Sequence, residues 1–460
     1  MSRAVVVGLA GLALAVAAGR APAARADGRA LDYVVVPPAP PVFAAGPHVI
    51  FLDRCAAGCT VTAGSDNAAA GTSSILGRDG TPARVELAAF QWGDDVWDQV
   101  AACVRATYAP YDVEVVTTRP AANPYVRVLV AGEASALNLA GNTLGVAPLT
   151  SDCSAQASAI AFDFANAHQP GPDQVIEICA TAAHEAGHVY GLDHEFECKD
   201  PMTYLVGCST KVFLNKTVAC GEFDGPRACK CGATQSSFRK LVRVLGSGPT
   251  PPPPDLELIA PRDGATVTAS FSVFIRGQGR PLSVAELWIN GARVAAVPGK
   301  LTDAPYELRT GAAVPDGVLH LSIRAYDDLG RLAIVTATVQ KGAACAAGGC
   351  PSGFTCDGAG ACVAPAGTAA VGEPCAADAA CASQLCIRRG DDQVCSEPCW
   401  PVGAVCTDDL SCQHADDERL VCLPPPPNEG GCCGSSRRPG GSVALAALVL
   451  GLLRPGRRRR

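Results

Sequence analysis

Residues 184–194 read HEAGHVYGLDH, which sets three histidines, a glutamate and a glycine at fixed offsets. On a helix His184 and His188 stand four residues apart, so two imidazoles one turn apart can reach one zinc ion. Glu185, between them, is placed to take a proton from a metal-bound water and later pass it to a leaving amine. Gly191 follows one turn on and can adopt the positive φ that ends a helix. The chain then turns back, so that His194 can approach as third ligand and a fourth position stays open for water. Neutral nitrogen ligands leave zinc strongly Lewis-acidic, which brings the pKa of its water toward neutrality. From this composition, a chance match to all five residues in 460 positions has a probability of roughly 10⁻⁵.

The full pattern His184-Glu185-x-x-His188-x-x-Gly191-x-x-His194 resembles that of the metzincin clan of zinc endopeptidases. The resemblance implies one catalytic zinc, peptide or protein substrates, and a methionine in a tight turn below the metal. Met202 in DPMTY, eight residues beyond His194, matches that methionine, and Met1 is the only other one in the chain. Tyr204 matches the tyrosine that astacin-like and serralysin-like members place near the metal, as an extra ligand or an oxyanion donor. Glu195 after the third histidine looks astacin-like, whereas GLDH is closer to matrixins and snake-venom-type members. The architecture as a whole is similar to myxobacterial metalloproteases that carry a C-terminal sorting signal. The resemblance spans about residues 45–246 and is specific only over 184–204. Cys198 and Cys208 flank the methionine turn and a bridge between them would clamp it, though spacing alone leaves the connectivity open. No pro-segment thiolate motif of the matrixin kind appears.

Positioning these groups requires a helix through GPDQVIEICATAAHEAGHVYG, with Asp173 able to cap its N-terminus. Ile176, Cys179, Ala183, Ala186 and Tyr190 recur at three and four residues, giving it one buried stripe. Upstream, residues 92–111 read as a long helix, while DVEVVTT and YVRVLVAG read as strands. TLGVAP is expected to be an edge strand against which an extended peptide could pair. His48, His168, His320 and His414 are scattered and read as ordinary surface or loop residues. Calcium finds no support, since its sole candidate, Asp66, lies in the plain loop SDNAAAGTSS.

The remainder of the chain sets the context. It has 460 residues, enough for several domains, and a net charge of −7 that offers no nucleic-acid footprint. Its 24 cysteines read as disulfides of an exported protein. Arg3, an apolar run to Ala18 and Ala24-Arg25-Ala26 form a signal-peptide pattern over 1–26. A metzincin-like α/β (α+β) domain is expected over 27–248, and a Pro-rich linker over 249–255. Four stretches alternating at strand period, with turn signals at Asn290-Gly291 and Asp327–Gly330, predict an all-β immunoglobulin-like sandwich over 256–341. Twelve irregularly spaced cysteines make 342–425 a disulfide-rich segment whose function is not legible.

Residues 426–460 end the chain with Cys432-Cys433, the eleven-residue apolar run Val443–Leu453 and an arginine cluster. That run spans about 16 Å as a helix, too short for a comfortable membrane span. The three-part tail resembles myxobacterial sorting signals, which implies a membrane protease as processing partner and membrane contact through the tail only. The sequence therefore predicts an exported, surface-directed zinc endopeptidase. Two rivals stand beside it: a decayed protease serving as a surface adhesin, and a zinc hydrolase acting on something other than peptides.

Overall fold

The computed structural model describes residues 25–26, 30–38, 48–121, 124–208, 210–300, 304–311, 314–346, 349–365, 367–397, 399, 406, 410–415 and 420–424. Residues 1–24 of the signal peptide expected over 1–26, and the whole sorting tail, lie outside them.

The first domain is built on a six-stranded sheet: β1 (Ala30–Val36), β2 (His48–Asp53), β3 (Val113–Val116), β4 (Val126–Val130), β5 (Thr143–Thr150) and β6 (Ala159–Asp163). Their spatial order is β1-β5-β6-β4-β2-β3. Strands β6, β4, β2 and β3 run parallel, β5 is antiparallel to β6, and β1 runs parallel to β5. TLGVAP is thus a strand, but β1 covers the edge expected to be open.

The pleat sorts side chains into two cores. Ile50, Leu52, Val126, Val128, Val130, Ala159 and Ala161 face α1 (Asp94–Tyr108) and α2 (Gln174–Val189). Phe51, Leu129, Val146, Ile160 and Phe162 face the opposite side, where Val61, Val85 and Leu87 of a small three-stranded sheet cover them. Cys179 and Cys103 join the two helices covalently. Asp173 occupies the N-cap position of α2, but its side chain makes no capping bond, contrary to expectation. Cys179, Ala183, Ala186 and Tyr190 are buried as the stripe predicts, whereas Ile176 is only half-buried. The helix is buried almost all round because the sheet, α1 and the segment after His194 each cover a side.

The sandwich comprises β7 (Asp255–Ala260), β8 (Ser272–Gln278), β9 (Leu282–Ile289), β10 (Ala292–Pro298), β11 (Tyr306–Arg309), β12 (Gly317–Asp327) and β13 (Leu332–Lys341). One sheet has the order β7-β8-β11, and the other places β13-β12-β9-β10 beside the short strand Thr266–Val267. Ile275, Leu287, Leu308, Leu321 and Ile323 fill the space between. The Asn290-Gly291 turn joins β9 to β10 with φ of 51° and 84°, the doubly positive geometry of a two-residue hairpin.

The cysteine-rich segment is more regular than its spacing suggested. Its bridges are 345–356 and 350–362, then 375–386 and 381–395, then 399–412 and 406–422. Each set of four pairs first with third and second with fourth around one short hairpin. Three copies of one stapled unit follow in tandem; variable loop lengths hid the repeat. Among the described residues eleven disulfides form, a density that suits an oxidising compartment.

Candidate metal centre

Helix α2 carries His184, Glu185 and His188 into the interior beneath β5, where all three are fully buried. Gly191 leaves the helix with φ of 88°, the conformation expected of it. A Cβ there would lie 2.2 Å from the Cys153 carbonyl oxygen, so the turn also demands the absence of a side chain. Past it His194 returns, and the imidazole centroids lie 4.5 Å (184 to 188), 4.8 Å (188 to 194) and 5.2 Å (184 to 194) apart.

Each ring is oriented through Nδ1. His184 donates to the Pro201 carbonyl at 2.8 Å, His188 to the Leu192 carbonyl at 2.7 Å, and His194 to the Glu222 carboxylate at 2.8 Å. Carbonyl and carboxylate oxygens can only accept, so the proton sits on Nδ1 in all three and each Nε2 presents a lone pair. The Nε2 atoms of His188 and His194 lie 3.1 Å apart with no proton to share between them. The His184 Nε2 is buried without a partner. Three converging acceptors are an arrangement that a cation resolves. Zinc–nitrogen bonds of 2.0–2.1 Å at tetrahedral angles put the nitrogens about 3.3 Å apart, close to that separation. Burial also holds His184 and His188 well below the ordinary imidazole pKa, favouring the neutral form that ligates. The donor set therefore fits zinc.

The Glu185 carboxyl is buried with neither oxygen hydrogen-bonded, and burial followed by the charges of Asp163 and Asp32 pushes its pKa well up. It packs against Gly145 of β5, where a Cβ would come within 2.2 Å of Oε1. Met202 is fully buried under the helix, its amide bound by Asp200 at 2.9 Å and its carbonyl accepting from the Glu195 amide at 2.7 Å. A Cβ on Gly187 would lie 2.5 Å from the Met202 sulfur, so this glycine lets the methionine turn approach α2. Cys198 and Cys208 are bridged across the turn, with 5.8 Å between their Cα atoms. The Tyr204 ring lies 4.6 Å from that of His194, and its hydroxyl donates to the Leu31 carbonyl.

Sequence reasoning missed Glu222, Arg227, Gly145 and Gly187. Arg227 pairs with both Glu222 and Asp193, and the Cys220–Cys229 bridge closes the loop that presents them. Only Gly187, inside the histidine motif, left a signal: a glycine mid-helix needs a packing reason. His168 lies in a loop, as expected, but not at the surface. It is buried between Asp163 and Glu177, 3.7 Å from each, because the loop after β6 folds it beneath α2. Asp66 accepts hydrogen bonds from the Ser74 amide at 2.9 Å and hydroxyl at 2.6 Å and so fastens its own loop. His320 is exposed and His48 half-buried; the His414 side chain lies outside the description.

Beside Tyr204 opens a cavity of about 310 Å³ lined by Leu31, Leu144, Ile176, Thr203 and Val206 among others. Among the described residues no helix is long and apolar enough to cross a membrane.

No family model matches the chain, and no curated protein does. Solved structures match parts of it. A chain from structures of Clostridium thermocellum CbhA fibronectin(III)-like modules aligns at 15% identity over 19% of this chain and 95% of that one, with a TM-score of 0.15. The endo-β-1,4-mannanase of Thermotoga petrophila aligns at 12% identity over 23% of each chain, with a TM-score of 0.17. A Cellulomonas fimi endo-β-1,4-mannanase double mutant aligns at 16% identity over 23% of this chain and 22% of the other, with a TM-score of 0.15. The chain thus spans under a quarter of either mannanase, and similarity at this level assigns neither fold nor activity.

Proposed function

We propose that the chain is an exported, surface-directed zinc endopeptidase of metzincin type. The observation that carries this reading is the locked triad: three buried imidazoles whose Nδ1 protons are all committed, leaving three Nε2 lone pairs aimed at one point. Bound zinc would supply a polarised water at the open fourth position. Glu185 is the proton carrier, a buried carboxyl that desolvation makes more basic than an exposed one. Gly145 leaves the space in which that carboxyl stands. Tyr204 is placed to hold a substrate carbonyl, as it holds that of Leu31. The methionine turn, its disulfide and the glycine contact to α2 support the histidines from below.

The density of disulfides supports export, and the three-part tail supports a surface destination. The test uses the full oxidised chain: zinc content by mass spectrometry, and casein cleavage over long incubation. The parent should hold one zinc, and Glu185→Gln should keep it while cleavage falls by about 10²–10⁴-fold. Zinc without Glu185-dependent proteolysis would sink the endopeptidase and favour another hydrolase. A chain that binds no zinc would point to a surface binding protein.

A further inference from the structure

A second cavity, of about 280 Å³, lies where the first domain meets the sandwich and shares no lining residue with the one beside Tyr204. Lys199 and Thr210 of the first domain face residues 276–282 and Tyr306 of the sandwich across it. Three of these side chains are cationic, Lys199, Arg276 and Arg280, and among the described lining residues none is a carboxylate. A concave wall of one charge sign focuses its field and draws in ions of the other sign. Glu257 and Asp328, which neutralise part of this charge, bond the two arginines from outside the lining.

Neither arginine is used up by its partner. Asp328 accepts from Nε and Nη2 of Arg280 at 2.7 and 2.5 Å, and the Phe213 carbonyl accepts from Nη2 at 2.7 Å. Nη1 of Arg280 makes no bond among the described residues. Arg276 gives only Nη1 to Glu257, at 2.7 Å, which leaves its Nε and Nη2 for another acceptor. Guanidinium donors in a fixed fork match the oxygens of sulfate and phosphate.

The main chain and the size of the cavity point the same way. Strand β11 pairs with residues 272–275 of β8 and stops, so residues 276–278 are open on that side while β7 holds the other. Pockets for drug-sized molecules begin near about 300 Å³, so this one suits a small ion with its water.

We propose that the cavity binds one tetrahedral oxyanion, sulfate or phosphate, either free or as an ester on a polymer. Lys199 belongs to the first domain and the arginines to the sandwich, so the bound anion ties the two together. The site stands whether or not the endopeptidase reading does.

The test is calorimetric titration of the full oxidised chain with inorganic sulfate, and separately with inorganic phosphate, at constant ionic strength. One anion should bind per chain, and Arg276→Gln should weaken it by about ten-fold or more, the loss expected when charged hydrogen bonds go. Arg276→Glu/Lys199→Gln should bind none. The Arg276 side chain is 44% exposed, so its replacement leaves the fold intact. Sulfate should also raise the melting temperature of the parent more than that of either altered chain. Absence of saturable binding, or equal affinity and equal melting shifts in all chains, would mean an adventitious ion only and overturn the proposal. Dextran sulfate identifies the source. If it binds, yields to inorganic sulfate and fails to bind Arg276→Glu/Lys199→Gln, the occupant is an ester on a polymer; if only the inorganic ions bind, the occupant is the free ion.

Discussion

His194 differs from its two companions in what holds it. His184 and His188 donate to main-chain carbonyls fixed by the fold, whereas His194 depends on the side chain of Glu222, 28 residues further along. Burial alone would raise the Glu222 pKa, but hydrogen bonds from His194 and Arg227 outweigh it and hold the carboxyl at about 2. It therefore stays an anion beside His194, which fixes the ring's tautomer and would strengthen its Nε2 as a donor to the proposed zinc. Glu222→Ala should weaken zinc binding by about 10–100-fold, read by competition with a chelating dye. The same affinity in both chains would show that Asp193 and Arg227 alone suffice to position the loop. Glu222 was not legible in the sequence: nothing in CGEFDGP marks it, and only the fold brings it to His194.

At the scale of elements, legibility followed the range of the interaction. Helix α2 and its glycine exit could be read because both are set within one or two turns of chain. Strand β5 could be read from alternation and composition, but its partner β1 could not. ALDYVVV lies more than a hundred residues from TLGVAP, and pairing at that distance leaves no local mark. The crossed disulfide units are local, and their repeat was hidden by variable loop lengths instead. His168 shows the cost of judging an isolated residue by type. Burial raises Asp163 from 3.8 to about 6, an effect His168 partly offsets. Burial alone would lower His168, but its bonds and charges with Asp163 and Glu177 outweigh that and raise it. Both folded-state values exceed their unfolded ones, so the folded chain binds these protons more tightly and loses stability as pH climbs through the windows. The melting temperature of the first domain should therefore fall as pH rises from 3.8 through about 6, and again as it climbs past the ordinary histidine value of 6.5, and Asp163→Asn/His168→Gln should flatten that slope. Calorimetry that finds equal slopes in parent and variant would rule the pair out as the cause.

Across the whole molecule, the β-sandwich is seated on the first domain rather than strung from it. Arg280, at the turn between β8 and β9, bonds the Phe213 carbonyl at 2.7 Å, lies 5.7 Å from the Phe238 ring and pairs with Asp328. Asp328 in turn accepts from the Asn215 amide at 2.9 Å, and Leu329 is buried within the first domain's core. The segment these groups grip adjoins the proposed metal centre: the Leu214 amide donates at 2.8 Å to Asp200, the carboxyl that also binds the Met202 amide. Burial raises the Asp200 pKa to about 7, so its bonds to the two amides and to Ser237 offset only part of a desolvation cost. Removing Arg280 leaves Asp328 buried without its cation, a loss of about 3–5 kcal/mol for a broken buried pair. Arg280→Ala should thus uncouple the domains, visible as separate calorimetric transitions and a larger radius in solution scattering. It should also slacken the 213–215 segment under the methionine turn, so zinc should leave faster to a chelator than from the parent chain. Uncoupled domains with an unchanged zinc release rate would confine the interface to a structural role; unchanged transitions would show that Leu329 and the Asn215 contacts hold the seat without the ion pair.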